Sequence, residues 1–334
     1  MEIGKLFYPG FNRSFEELSS IEVKNENLIE IADFTDIEWV RSAIRELINE
    51  QNSDIEVTFK EPTEEDIQKV SKIVGADKTP DEAKNEFNTG KRIIGIASGK
   101  GGVGKSTIAS NLAVSLSNLG YRVGLLDADI YGPSQQKMFG IIGSETKIKN
   151  KKIQPEKLNN VTLISMGMMI PDDQAIVWRG PMLMRAIQQL LVDVEWGHQD
   201  FTIIDLPPGT GDIHITLAQK VKLAGAIVVS TPQDIALIDA KKAISLYKKT
   251  NTRILGVIEN MSYFECTSCG ERHEIFSRGD IPKRLGEENV ELLGEIPLIK
   301  EIRECSDKGV PFSSSDADRT IIFKQISKKI ISML

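Results

Sequence analysis

A glycine-rich stretch that ends in lysine and serine is the part of this chain best suited to bind phosphate. Gly99, Gly104, Lys105 and Ser106 satisfy the pattern G-x-x-x-x-G-K-[ST], in which backbone N–H groups of a loop surround the phosphates of a nucleotide. Glycine lets the backbone come close to the ligand. Lys105 adds a charge that reaches the β- and γ-phosphates, and Ser106 is the expected Mg²⁺ ligand. The stretch therefore predicts an ATP-binding phosphate loop.

The sequence on either side of this loop predicts the elements that hold it. Three β-branched residues, Ile93, Ile94 and Ile96, precede the loop, and a helix-favouring run from Ile108 to Leu119 follows it. A helix that starts at the loop directs its partial positive charge at the same anion. The residues expected to contact ATP are Gly99, Lys100, Gly101, Gly102, Val103, Gly104, Lys105, Ser106 and Thr107.

Acidic residues follow two later apolar runs and are candidates for the metal and for catalysis. Asp127 and Asp129 come directly after the run 123–126, and Asp205 ends the run 201–205. Open α/β sheets bind ligands at the carboxyl ends of their strands. We expect Asp127 and Asp205 to lie in the Mg²⁺ shell and Asp129 to orient the attacking water. Helix N-capping is the alternative role for Asp127 and Asp129.

A segment rich in proline and glycine, Pro207–Asp212, follows Asp205 and is a candidate switch. Its glycines allow movement towards a γ-phosphate and its prolines restrict that movement, as in segments that ATP orders and hydrolysis releases. Phosphate loop, acidic residues and switch segment occur in the order that predicts nucleotide hydrolysis.

Apolar runs alternate with helical patterns through the larger part of the chain. Near-continuous apolar strands separated by helices predict a mainly parallel sheet covered by helices on both faces, and thus an α/β P-loop NTPase fold. The expected strands are 123–126, 161–165, 201–204, 226–229, 254–258 and 292–296, and further helices are expected at 180–194, 299–306 and 320–334.

The first part of the chain has a more polar composition and predicts a separate domain. Residues 1–78 are expected to form a small α+β domain, 79–91 a linker and 92–334 the ATPase domain. Within the first domain we predict strands at 28–31 and 55–59, helices at 36–49 and 63–74, and turns at 24–27 and 51–53. Thr63 is the expected cap of the second helix.

Composition restricts the classes of function. The chain has 334 residues, 40% hydrophobic and 27% charged, with a net charge of −7. Nonspecific nucleic-acid binding requires a basic surface, so we expect no nucleic-acid partner. The first ten residues do not form a signal or transit sequence, and no apolar run reaches the ~20 residues that span a bilayer. We expect a cytoplasmic protein with no stable membrane association.

Two of the three cysteines are close in sequence and form a candidate metal site. Cys266 and Cys269 make a C-x-x-C pair, which is compatible with a redox pair, half a zinc site, half an iron–sulfur site or a surface loop with no metal. Zinc and a 4Fe–4S cluster generally require four ligands, and a symmetric dimer would supply a second pair. His273 and Cys305 are the competing ligands, and an intrachain zinc site with His273 is the alternative.

The lysine at the start of the phosphate loop carries a resemblance to a known group of ATPases. Lys100 gives the sequence Lys-Gly-Gly-Val-Gly-Lys-Ser-Thr, which resembles the deviant Walker A motif of the MinD, ParA and nitrogenase iron protein group. The resemblance implies a homodimer in which Lys100 of one subunit reaches the nucleotide of the other. A solvated loop lysine is the alternative.

Several further blocks resemble the Mrp/ApbC family of iron–sulfur cluster carriers from Arg92 to the C-terminus. They are Asp127–Gln135, Trp178–Met182, Asp205–Asp212, Ser230–Asp239 and Glu259–Tyr263. The resemblance implies a labile 4Fe–4S cluster bridged between two subunits by Cys266 and Cys269. It also implies a cluster-assembly scaffold as donor and apo iron–sulfur proteins as acceptors, a hydrolytic role for the aspartate at 129, and an adenine bordered by Pro232 and Asn260.

Other readings remain open at this level. A ParA/MinD-like ATPase that controls binding to DNA or membrane is the main alternative, and a phosphate-transferring kinase is a third. The run 320–334 could resemble the membrane-targeting helix of MinD, although packing on the domain is the commoner role of such a helix. Mrp/ApbC proteins often begin with a small domain that carries its own cysteine, whereas this chain has none before Cys266.

Overall fold

The chain divides into two compact units, Met1–Ala83 and Lys84–Leu334. The computed structural model describes residues 5–6, 8, 14–16, 18, 20–25, 27–33, 38–66, 92–130, 132–144, 146–149, 152–169, 180–266, 268–276, 288–315 and 318–334. The linker predicted at 79–91 and residues 67–74 of the helix predicted from Thr63 lie outside them.

The N-terminal unit contains a three-stranded sheet with one helix. Strands β1 (Ile21–Asn25), β2 (Leu28–Ala32) and β3 (Glu56–Lys60) lie in that order, and helix α1 (Glu38–Asn49) connects the parallel pair β2 and β3. The turn predicted at 24–27 is wrong for its first two residues, which end β1. Because β1 is a mostly exposed edge strand, its sequence lacks the alternation that marks a half-buried strand.

The cap predicted at the end of this unit is formed. Asp66 donates its backbone N–H to the Thr63 hydroxyl (3.2 Å), and the backbone N–H of Thr63 returns a bond to the Asp66 carboxylate (2.9 Å). This reciprocal arrangement satisfies N–H groups that would otherwise lack a partner at a helix start.

The larger unit is built on an eight-stranded sheet with the order β15-β12-β11-β4-β10-β5-β9-β8. Its strands are β4 (Ile93–Ala97), β5 (Val123–Asp127), β8 (Glu156–Leu158), β9 (Val161–Ser165), β10 (Phe201–Asp205), β11 (Leu223–Ser230), β12 (Ile254–Asn260) and β15 (Leu292–Ile296). All neighbouring pairs are parallel except β8 with β9. Short hairpins are formed by β6 (Lys147–Lys149) with β7 (Lys152–Gln154) and by β13 (Phe264–Glu265) with β14 (Arg272–His273).

Helices cover both faces of this sheet, as the sequence predicts. They are α2 (Lys105–Asn118), α3 (Gln135–Met138), α4 (Gly180–Asp193), α5 (Asp212–Lys220), α6 (Asp234–Lys249), α7 (Lys300–Asp307) and α8 (Ile321–Met333). Ile227 and Val229 belong to the apolar cluster under α2 and α8, whereas Val228 belongs to the cluster under α6. Successive side chains of a strand point to opposite faces, so the two clusters lie on opposite sides of the sheet.

The strand register brings the predicted acidic residues to one edge of the sheet. Asp205 at the end of β10 is paired with Asp127 of β5 and with Ile96 of β4, which leads into the phosphate loop. Asp127 is paired in turn with Ser165 of β9. Four adjacent strands, β4, β10, β5 and β9, therefore end together around the start of α2.

The C-terminal helix α8 packs against the phosphate-loop helix α2. Its residues Phe323, Ile326 and Ile330 are at most 1% exposed, and the hydroxyl of Ser327 donates to that of Ser115 on α2 (3.0 Å). The apolar face that resembles a membrane-targeting helix is thus used in the core. Among the described residues, no helix combines the length and apolar character needed to cross a membrane.

Two asparagines of α2 hold the chain segment that leads towards α8. Buried Asn111 accepts the backbone N–H of Ser313 (2.7 Å) and donates to the carbonyl of Thr107 (2.8 Å). Asn118, on the exposed end of the helix, donates to the carbonyl of Ser313 (2.8 Å). The phosphate-loop helix is thereby tied to the C-terminal part of the domain.

We expect Asn111→Ala to lower the free energy of unfolding by about 1–3 kcal/mol, because it leaves the N–H of Ser313 buried without a partner. Asn118→Ala is the matched control and should cost about 0.5–1 kcal/mol, since its bond is more exposed to water. Chemical denaturation of both variants measures the difference. Equal losses would contradict the importance of burial at Asn111.

Candidate functional site

The phosphate loop borders a cavity of about 250 Å³ at the carboxyl edge of the sheet. The loop contributes Ser98, Lys100, Gly101, Gly102, Gly104, Lys105, Ser106 and Thr107, and the opposite wall includes Asp129, Gly132, Met138 and Pro208. Most residues that the sequence assigns to ATP therefore surround one opening. The side chain of Val103, which is also part of the loop, is instead buried in the core at 2% exposure.

Two glycines of the loop are required by their surroundings. A Cβ atom at Gly99 would collide with the backbone of Asp239 in α6, and one at Gly104 would collide with the side-chain amide of Asn260. Gly104 also has φ +84°, which side chains rarely adopt. The loop is therefore wedged between α6 and the end of β12.

Lys105 is buried within a cluster of carboxylates. Its ammonium lies 2.6 Å from Oδ1 of Asp205 and 3.3 Å from Oδ2 of Asp129, and the lysine side chain is 6% exposed. Burial lowers the pKa of Lys105, but the charges of Asp205 and Asp129 outweigh it and raise the pKa above the ordinary value. Lys105 is therefore charged and held by the acids that the sequence predicts at the metal site.

Asp127 and Asp129 differ in how their carboxylates are satisfied. Fully buried Asp127 accepts bonds from the backbone N–H of Asp129 (3.1 Å), the backbone N–H of Gln135 (3.1 Å) and the hydroxyl of Ser165 (3.0 Å). Burial, followed by the nearby charge of Asp205, raises its pKa to about 7. Burial also raises the pKa of Asp129, against the opposing effect of Lys105.

The side chains around Lys105 offer oxygen atoms of the type that Mg²⁺ prefers, although three carboxylates are not arranged around a single metal position among the described residues. The carboxylates of Asp127, Asp129 and Asp205 lie close to Lys105 and to the hydroxyl-bearing Ser106, and oxygen ligands are those that Mg²⁺ prefers. Oδ1 of Asp129 is buried without a hydrogen-bond partner among the described residues. An acceptor in that state is suited to a metal-bound or attacking water.

Gln135 and Ser165 belong to this network, although sequence reasoning assigned neither to the site. Gln135 is fully buried at the start of α3 and donates to Asp205 and to the carbonyl of Ser106. Ser165 ends β9 beside Asp127. The available signal for Ser165 was its position at a strand end, and that for Gln135 was only its place in the block that follows Asp127.

Lys100 lies apart from the buried cluster at the mouth of the cavity. Its ammonium is 3.3 Å from the side-chain oxygen of Gln233, in the turn before α6. In a single chain, Lys100 thus faces outward while Lys105 faces inward. The candidate switch segment contacts the start of the phosphate loop, because the backbone N–H of Gly209 donates to the carbonyl of Ser98 (2.9 Å).

Asn260 and Pro232, predicted to border the adenine, lie at the ends of β12 and β11. Both are buried, and the side-chain amide of Asn260 donates to the carbonyl of Val103 (2.9 Å). In this structure Asn260 therefore supports the phosphate loop from below. The next residue, Met261, has φ +55°, so the chain turns sharply as it leaves β12.

The C-x-x-C pair lies on the hairpin that follows this turn. The backbone N–H of Cys266 donates to the carbonyl of Glu271 (2.9 Å), and that of Gly270 donates to the carbonyl of Cys266 (2.8 Å), which closes a tight loop. Cys269 is exposed and Cys266 is partly exposed. Backbone N–H groups of Ser268 and Cys269, together with the Cys269 side chain, lower the pKa of Cys266.

The base of the cysteine hairpin is fixed by Arg272. Its guanidinium lies 3.7 Å from the ring centroid of Tyr263 and 3.5 Å from the carboxylate of Glu295 on β15. Adjacent Glu259 on β12 is buried, and burial together with the charge of Glu295 raises its pKa to about 7. The hairpin is thus attached to β15 by the Arg272–Glu295 contact, and Glu259 of β12 lies close to the same two charges.

Neither of the competing ligands, Cys305 and His273, completes a metal site with the cysteine pair among the described residues. Cys305 is on α7 and packs against the main apolar cluster. His273 is 49% exposed on β14, with its imidazole 3.8 Å from the carboxylate of Glu271. Within the part of the chain that the structure describes, no group of three or more histidine, cysteine or acidic side chains is arranged to hold a metal ion.

Comparison with known proteins gives relatives by sequence. An iron–sulfur cluster carrier protein of Aquifex aeolicus is 50% identical over 233 residues, covering 69% of this chain and 64% of the relative. The chain thus spans slightly less than two thirds of that protein. An iron–sulfur cluster carrier protein of Pyrococcus horikoshii is 42% identical over 273 residues, covering 78% of this chain and 92% of the relative.

Solved structures share the fold of the larger unit. A nucleotide-binding protein from Archaeoglobus fulgidus, in complex with ADP, aligns with a TM-score of 0.63 and 34% identity, covering 73% of this chain and 97% of that one. The cell division ATPase MinD of Pyrococcus furiosus aligns with a TM-score of 0.52 and 22% identity, covering 73% and 99%. The second likeness concerns the fold alone.

The family follows from a match that covers most of the larger unit. A family model described as NUBPL iron-transfer P-loop NTPase matches residues 89–332. Together with the 50% and 42% identical carriers, it confirms the resemblance to the Mrp/ApbC proteins. The chain belongs to the NUBPL iron-transfer family of P-loop NTPases.

Proposed function

We propose that this protein is an ATP-hydrolysing carrier that holds an iron–sulfur cluster between two copies of the chain and transfers it to apoproteins. The observation that carries the proposal is the C-x-x-C hairpin, whose two thiols are accessible. Its first cysteine, Cys266, lies six residues after Asn260, which is bonded to the phosphate loop. The names of the carrier relatives support the identity of the cargo.

The nucleotide is proposed to bind in the cavity at the phosphate loop. Backbone N–H groups of the loop surround the phosphates, and Lys105 exchanges its contacts with Asp205 and Asp129 for the β- and γ-phosphates. Ser106, Asp127 and Asp205 hold Mg²⁺, which neutralises charge on the phosphates when bound. Release of Asp129 from Lys105 leaves its carboxylate free to orient the attacking water.

The cluster is proposed to be cargo that the protein binds and releases. A single hairpin offers two thiolates, whereas a 4Fe–4S cluster is commonly held by four. A two-fold axis near the hairpin would bring the cysteine pairs of two copies together. The lowered pKa of Cys266 favours the thiolate, which is the form that binds iron.

The same dimer would complete the ATP site. Lys100 is at the mouth of the cavity and its present partner is a neutral glutamine, so it can reach a nucleotide on a facing copy at little electrostatic cost. A positioning ATPase is less well supported. The apolar face of α8 packs against α2 and does not face a membrane, and such an ATPase gives the paired cysteines no role.

Anaerobic reconstitution with iron and sulfide tests the carrier function. We expect the wild type to gain about four iron atoms per two chains, with visible absorbance, and Cys266→Ser/Cys269→Ser to gain almost none, since the loop then lacks thiolates. Cys305→Ser is the matched control and should behave as the wild type. Equal iron in the wild type and the double variant would overturn the proposal, as would failure of the loaded protein to activate an apo iron–sulfur acceptor.

Mixing two inactive variants tests the role of Lys100 across the dimer. Lys100→Ala and Lys105→Ala should each lose most ATPase activity, because each removes a different lysine from both sites of a homodimer. After subunit exchange of equal amounts, half of the dimers are mixed and one of their two sites is complete, which restores about a quarter of the wild-type rate. Steady-state phosphate release measures the outcome, and no recovery in a mixture shown to exchange would exclude action in trans.

A further inference from the structure

The side chain of Gln135 contacts both the phosphate-loop helix and the acid at the end of β10. Its amide nitrogen donates to the backbone carbonyl of Ser106 (3.0 Å) and to Oδ2 of Asp205 (2.9 Å). Its own backbone N–H donates to Oδ2 of Asp127 (3.1 Å). One fully buried residue therefore joins the phosphate loop and two of the proposed metal-binding carboxylates.

The two oxygens of Asp205 are held by different partners. Oδ1 faces the ammonium of Lys105 at 2.6 Å, and Oδ2 accepts from Gln135. When Lys105 turns to a phosphate, Oδ1 loses its partner while Oδ2 keeps the amide. The Gln135 bond then fixes the plane of the carboxylate and leaves Oδ1 available.

The oxygen end of the same amide makes burial of Gln135 unfavourable. Oε1 of Gln135 is buried and has no hydrogen-bond partner among the described residues. An unsatisfied buried acceptor costs about 1–3 kcal/mol, and an apolar side chain of the same length would avoid that cost. The favourable contribution of Gln135 must therefore come from its amide nitrogen, whose bonds to Ser106 and Asp205 a methionine could not make.

We infer that Gln135 is a positioning residue that orients Asp205 for the metal ion and thereby sets how strongly Mg²⁺ and nucleotide stabilise each other. The inference rests on the proposed Mg²⁺–nucleotide site and adds a residue to it. Gln135 is fully buried and does not line the cavity, so it acts through Asp205. Groups of this kind typically change metal affinity by 10–100-fold when they are removed.

The test measures binding of a fluorescent ADP analogue to the full chain with Mg²⁺ and with a chelator. The ratio of the two dissociation constants gives the metal effect. We expect Gln135→Met to reduce this effect by about tenfold, with affinity in chelator within about twofold of the wild type. Gln135→Glu, which has the same shape but no donor, should reduce it further, because a third carboxylate then faces Asp205 and Asp127.

A double-variant cycle shows whether Gln135 acts through Asp205. Gln135→Met/Asp205→Asn should have the same metal effect as Asp205→Asn alone. Gln136→Met is the matched control, because the neighbouring glutamine is bonded to the carbonyl of Ser144, and it should match the wild type. Thermal unfolding of each variant confirms that the protein compared is folded.

The outcomes separate the inference from the proposed function. A wild-type metal effect that Gln135→Met and Gln135→Glu leave unchanged would overturn the inference alone. Equal weakening of binding with Mg²⁺ and with chelator, or multiplying effects in the double variant, would also overturn it and assign Gln135 a purely structural role. Absence of any metal effect in the wild type would instead overturn the proposed Mg²⁺ site.

Discussion

The buried contact between one lysine and its surrounding carboxylates is the interaction on which the rest of the site depends. Lys105 is almost completely removed from water and faces Asp205 and Asp129, with Asp127 close behind. Buried ion pairs are a weak source of stability, since desolvation offsets most of their attraction. The cluster is therefore better understood as a preformed arrangement of charges. In the proposed function, a phosphate group and a divalent cation bind there together, and their opposite charges leave the local net charge nearly unchanged.

The sheet topology explains why this cluster forms where it does. Strands β4, β10 and β5 are adjacent and parallel, so residues far apart in sequence end at the same level. Ser165 on the next strand and Gln135 on the short helix α3 complete the bonds of the carboxylates. Loss of the Ser165 or Gln135 side chain would therefore remove a hydrogen bond from one of these carboxylates.

The sequence predicted the parts of the fold that depend on local pattern. The strands of the parallel sheet were found within a few residues because buried strands read as continuous apolar runs. Strand β1 and the short strands β6 to β8 were not found, since exposed or lysine-rich strands lack that signal. The hydrogen bond between Gln135 and Asp205 joins residues 70 positions apart in sequence. It depends on how the fold places the start of α3 at the end of β10, and no local pattern distinguishes Gln135 from the other glutamines of the chain.

The bond between Asn260 and Val103 has a mechanical consequence for the cysteine hairpin. Five residues separate Asn260 from Cys266, and a chain of that length extends at most about 20 Å. Two of its points are pinned, because Ser262 donates to the carbonyl of Ile296 and Leu298 donates to that of Tyr263. The connecting residues are held by hydrogen bonds at both of these points, and Asn260 is bonded to the phosphate loop. A shift of the phosphate loop is therefore transmitted to the cysteine hairpin, which does not move independently of it.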